Sequence, residues 1–91
     1  MNHYCVLIVD DEPVIRMDLR AMLESVGHTV VGEADNGETA LALARSLQPD
    51  LVIVDIIMPG MDGIELSRRL AKERIAPVLI LTAYSEQAMK T

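Results

Sequence analysis

Cys5-Val-Leu-Ile-Val-Asp10-Asp11-Glu12-Pro13 decides how the chain is read: five uncharged residues, then three carboxylates in a row, then a proline. A run this short and this uniformly apolar fits a strand covered on both faces, as in a parallel sheet. Pro13 suits the first position of a helix, so the three acids occupy a strand-to-helix turn. Leu51-Val-Ile-Val54 and Val78-Leu-Ile-Leu81 repeat the apolar run. With them, strands are expected over Tyr4–Val9, Leu51–Asp55 and Val78–Thr82. Thr29-Val-Val-Gly-Glu33 is weaker and polar at its ends, as an edge strand would be.

Helical periods fill the gaps. From about Pro13 to Val26, the residues Ile15, Leu19, Met22, Leu23 and Val26 form one stripe, and Gly27 suits the left-handed residue that ends a helix. Asn36 is a good N-cap for a second helix that turns Ala40, Leu41, Ala44 and Leu47 inward before Pro49 stops it. Asn36-Gly37 is also a hairpin signal, but the period after it is helical. A third helix opens at Asp62, with Glu65 as its partner in a capping-box-like pair and Leu66 and Leu70 on its inner face. Ser85 is expected to cap a fourth. Strand and helix alternate throughout, so right-handed crossovers give an α/β fold, a doubly wound parallel sheet with helices on both faces. No repeat, linker or low-complexity tract divides the chain.

The 91 residues carry 51% hydrophobic content, which suffices for one core. No Phe or Trp and only two Tyr are present, which argues against base stacking with single-stranded nucleic acid. Net charge is −6, with eight basic residues spread along the sequence, so direct contact with DNA or RNA is not expected. The lone Cys5 allows no internal disulfide and, inside an apolar run, reads as a buried thiol. The N-terminus has no signal-peptide pattern, and no run reaches the ~20 apolar residues of a membrane helix. A cytoplasmic chain with no membrane contact is expected.

Ligands of open α/β sheets gather at the carboxyl ends of strands. Here those ends carry Asp10, Asp11 and Glu12, then Asp55, then Thr82, with Glu33 nearer the edge. Carboxylates ~5 Å apart repel by about 3 kcal/mol per pair at an effective dielectric of ~20, and a hard dication with oxygen ligands offsets that. The cluster therefore reads as a site for a metal and a phosphate. Each member also has a structural alternative. Asp11 or Glu12 would serve as a helix cap, Asp55 would satisfy turn amides before Met58-Pro59-Gly60, and Thr82 would be a structural hydroxyl. Their joint occurrence at three central strand ends favours the site.

Val9-Asp10-Asp11-Glu12-Pro13, Asp55-Ile56-Ile57-Met58-Pro59-Gly60-Met61-Asp62-Gly63 and Leu81-Thr82-Ala83 resemble, in order and spacing, the receiver domains of two-component response regulators. The resemblance implies a flavodoxin-like fold with strand order 2-1-3-4-5. It implies that Asp55 is the phosphoacceptor and that Asp11 and Asp55 bind Mg²⁺ directly. Asp10 would act through water, the Ile57 backbone carbonyl would complete the ligands, and Thr82 would reach the phosphoryl group. The implied partner is a sensor histidine kinase or histidine phosphotransfer protein, and the domain itself is not an enzyme beyond self-phosphorylation and self-dephosphorylation. His3 and His28 lie away from strand carboxyl ends and are not candidate phosphodonors. The segment from Arg74 to Ser85 is similar to receivers that precede an RNA-binding antiterminator module.

Receivers also have a fifth strand, with an aromatic switch residue, and a Lys that meets the phosphoryl group. Neither Lys72 nor Lys90 matches that Lys. Residues 1–91 are thus expected to form a C-terminally incomplete receiver of order 2-1-3-4, lacking the fifth strand and last helix. Val78–Thr82 would then be an uncharged aliphatic edge, open to self-association through the fourth strand. Other classes fit less well. A haloacid-dehalogenase-like phosphatase wants Asp-x-Asp where Asp10 and Asp11 are adjacent, and a flavodoxin wants a Ser/Thr/Gly-rich loop where this one is acidic. The alternative function is a receiver-like interaction module that is not phosphorylated, which has no need of Asp55 or Thr82.

Overall fold

The structure, a computed structural model, describes residues 3–55, 58 and 60–81. Seven elements alternate along them: β1 (Cys5–Val9), α1 (Pro13–Ser25), β2 (Thr29–Ala34), α2 (Gly37–Leu47), β3 (Leu51–Asp55), α3 (Gly63–Lys72) and β4 (Val78–Leu81). All strand pairs are parallel and the sheet order is β2-β1-β3-β4. The doubly wound α/β fold and the edge position of β2 are as expected. The fourth helix expected at Ser85, and Thr82 itself, lie outside the described residues.

Side-chain alternation splits the core in two. Leu7 and Val9 of β1 join Val52 and Val54 of β3 against Ala40, Leu41 and Ala44 of α2 and Leu66 and Leu70 of α3. On the other face Val6, Ile8, Val30 and Ile53 meet Leu23, with Leu19 partly buried beside them. Because both faces are covered, the central strands carry no polar alternation, which is why they read as unbroken apolar runs.

The helix ends follow local chemistry. Pro13 occupies the start of α1, and Gly27, at φ 95°, ends it. His28 N–H reaches Leu23 C=O at 3.0 Å and Gly27 N–H reaches Glu24 C=O at 3.1 Å, the paired bonds of a Schellman motif. Asn36 caps α2 by accepting Thr39 N–H at 2.8 Å. Asp62 caps α3 by accepting Glu65 N–H at 2.8 Å, while the Glu65 carboxylate turns to Arg69 at 3.1 Å.

Three expectations need correction. Of the α1 stripe only Leu23 is buried, whereas Ile15, Met22 and Val26 are exposed, because α1 meets the sheet along a narrower line than its apolar face. Leu47 is also exposed, with one methyl left against Gly32. Cys5, at the open start of β1, is half-buried. On α3, Arg68, Arg69 and Lys72 line one groove with Glu65 and Glu73, and Arg45 of α2 pairs with Glu73 at 2.6 Å.

Candidate metal and phosphoryl site

Strand register builds the site. Val9 of β1 lies beside Val54 of β3, so the next residues, Asp10 just past the end of β1 and Asp55 as the last residue of β3, stand at the same level. Asp11 follows in the turn into α1. One oxygen from each of Asp10, Asp11 and Asp55 lies within 4.8 Å of the other two. Asp10 is 4% exposed, Asp11 is exposed and Asp55 is half-buried, so the trio runs from the sheet outward to solvent.

Three bonds hold Asp10. Its N–H donates to Ala34 C=O at 3.0 Å, its carboxylate accepts Glu12 N–H at 2.8 Å, and its C=O accepts Arg16 Nη1 at 2.6 Å. Glu12, at the N-cap position of α1, makes no side-chain cap bond. The carboxylate that serves this turn is Asp10, so the capping alternative does not account for Glu12. Burial pushes the Asp10 carboxyl above its ordinary value; the bond from Glu12 N–H opposes this, and repulsion from Asp55, Asp11 and Glu12 adds to it. Such a site wants positive charge. Its donors are all hard carboxylate oxygens, the set that suits Mg²⁺.

The structure brings Asp10, Asp11 and Asp55 together, while Ile57 and Thr82 lie outside the described residues. His3 and His28 sit at the amino ends of the strands, where His3 Nε2 meets Thr29 Oγ1 at 2.6 Å and His28 Nδ1 accepts Tyr4 N–H at 3.1 Å. Sequence reasoning left out Arg16 and Arg20, which converge on Glu33 at 3.2 and 2.7 Å. Their signal was available: two arginines four apart on the helix that follows the acidic turn, with a carboxylate near the end of the neighbouring strand. These bonds hold the Glu33 carboxyl below its ordinary value, the bond from Arg20 contributing most.

A parallel α/β sheet with an acidic trio at the carboxyl ends of its two central strands has the architecture of a receiver. The chain belongs to the response regulator receiver domain family, whose profile matches residues 6–91. It is similar to the transcriptional regulatory protein PdtaR of Mycobacterium tuberculosis, 50% identical over 82 residues, a match that takes in 90% of this chain and 40% of PdtaR. Protein PilH of Pseudomonas aeruginosa is 43% identical over 88 residues, covering 93% of this chain and 72% of PilH. The crystal structure of the response regulator PhyR from Brucella abortus superposes with a TM-score of 0.87 at 37% identity, over 94% of this chain and 36% of that one. Receiver domains are in general signalling domains rather than enzymes, and the family typically uses Mg²⁺. No helix among the described residues is long and apolar enough to cross a membrane.

Proposed function

We propose that this receiver domain takes a phosphoryl group onto Asp55 from a phosphohistidine on a sensor kinase or phosphotransfer protein. The observation that carries the reading is the convergence of the Asp10, Asp11 and Asp55 oxygens within 4.8 Å where β1 and β3 end. Asp11 and Asp55 would hold Mg²⁺ directly, with Asp10 through water and the Ile57 carbonyl completing the protein ligands. When bound, Mg²⁺ supplies the positive charge that phosphoryl transfer to a carboxylate requires.

The chain's own residues do the rest. The Asp55 carboxylate attacks phosphorus in line, the P–N bond of the donor breaks, and an acyl phosphate forms on Asp55. Asp10 is fixed beside the site by its bonds to Ala34, Glu12 and Arg16, its Oδ1 accepting the Glu12 amide. Thr82 would donate its hydroxyl to a phosphoryl oxygen and so carry the signal onward. The chain spans 40% of PdtaR's length, so the regulated process belongs to the whole protein; with PdtaR a transcriptional regulatory protein, transcriptional regulation is the class we propose for it.

Calorimetric Mg²⁺ titration tests the metal assignment. Asp11→Ala should bind Mg²⁺ much more weakly than the parent chain, and Thr82→Ala should bind it about as well. Unchanged affinity in Asp11→Ala would remove Asp11 from the ligand set.

A further inference from the structure

The peptide that joins Asp10 to Asp11 links two of the three proposed metal-site carboxylates, so its orientation sets where both point. Its carbonyl accepts Arg16 Nη1 at 2.6 Å. The same guanidinium is aimed from behind: Arg16 Nε meets Glu33 Oε1 at 3.2 Å, and the other Glu33 oxygen is occupied by Arg20 Nε at 2.7 Å. Arg16 is 19% and Glu33 29% exposed, so the contact is partly shielded from water. Arg16 is also tied through its backbone, its N–H reaching Glu12 C=O at 3.1 Å in the first turn of α1.

From these contacts we infer that Arg16 is a positioning residue for the acidic site. It grips the Asp10–Asp11 peptide from α1, and Glu33 fixes the plane of its guanidinium. The planar fork matters because its Nη1 and Nε sites donate in two fixed directions, one to the carbonyl and one to Glu33; a lysine ammonium cannot reproduce that geometry. The inference rests on the Mg²⁺ reading above for its functional consequence, but the loop-holding itself does not. A purely structural Arg16 would do no more than Arg20 does, joining α1 to β2 through Glu33. Arg20 makes the shorter contact with Glu33 and has no bond to Asp10 C=O among the described contacts, which makes it the control.

Arg16→Gln, Arg16→Lys and Arg20→Gln should be compared with the parent chain in two measurements on folded protein. In Mg²⁺ titration, Arg16→Gln should bind about 10-fold more weakly or worse, the scale on which partners of metal ligands act. Arg16→Lys should recover only part of that loss, and Arg20→Gln should stay close to the parent. In metal-free hydrogen exchange, the Glu12 amide should exchange faster in Arg16→Gln than in Arg20→Gln, because the Asp10 loop is released. Equal Mg²⁺ affinity in Arg16→Gln and the parent overturns the inference. An equal loss in Arg16→Gln and Arg20→Gln does the same, since it marks a general loosening of α1. If the parent chain binds no Mg²⁺, the metal reading fails, and the Glu12 exchange rates still judge Arg16: equal rates in the two variants overturn its positioning role.

Discussion

Asp10 and Glu33, near the carboxyl ends of adjacent strands, have been placed in opposite electrostatic surroundings. Asp10 is buried among Asp11, Glu12 and Asp55, whereas Glu33 is clasped by Arg16 and Arg20. One carboxyl is pushed above its ordinary value of 3.8 and the other is held below its ordinary value of 4.5. Among the described residues, Asp10 thus faces carboxylates while the neighbouring Glu33 takes two guanidiniums.

The two groups predict pH dependences of opposite sign in metal-free protein. A raised carboxyl contributes stability that is fully present below its unfolded value and is lost as pH rises through its folded value. Asp10→Asn removes that loss and should raise stability at neutral pH. A lowered carboxyl contributes stability that is present above its unfolded value and is lost as pH falls through its folded value. Glu33→Gln should therefore lower the melting temperature at neutral pH and flatten the acid limb. Thermal melts from about pH 3 to 7 check both signs. Saturating Mg²⁺ should reverse the Asp10→Asn order, because the parent gains more from binding.

Gly37 governs the approach of α2 to the loop after β3. A Cβ at position 37 would stand 2.7 Å from Met61 Cβ and 2.9 Å from Met61 O. Alanine's helix preference gains at most about 1 kcal/mol, whereas overpacking costs about 1–3 kcal/mol, so the clash wins. Gly37→Ala should lower the urea midpoint; a raised midpoint would mean that Met61 yields at little cost.

At the other edge of the described sheet, β4 presents Val78-Leu-Ile-Leu81 with no charge, and Leu79 is 48% exposed. Such an edge recruits a further strand, and we expect the chain to self-associate there through a second copy. Leu79→Lys places a charge on an exposed position and should shift the chain toward monomer without loss of the core. Sedimentation velocity across a concentration series checks this. A parent chain that stays monomeric at high concentration removes strand-four association.

Strand identity was legible because β1 and β3 are buried on both faces, so burial wrote itself directly into apolar runs. Parallel order also made the site legible: residues that end adjacent strands must meet, as Asp10 and Asp55 do. Periodicity was weaker at judging cover. The α1 stripe shows which face is apolar, but not that Met22 and Val26 are left exposed, since that depends on what packs opposite. Long-range polar contacts were hidden too. Arg16 meets Asp10 C=O only because the turn folds α1 back over the end of β1, and sequence spacing does not encode a side-chain-to-backbone bond.

The central claim, that Asp55 is the phosphoacceptor, is tested most directly by intact-mass spectrometry after exposure to acetyl phosphate and Mg²⁺. The parent chain should gain a single phosphoryl group, the gain should need Mg²⁺, and Asp55→Asn should show none. Asn keeps the side chain's size and removes the nucleophilic carboxylate, so lost labelling in a folded variant points to the acceptor itself. Undiminished labelling of Asp55→Asn would contradict the account.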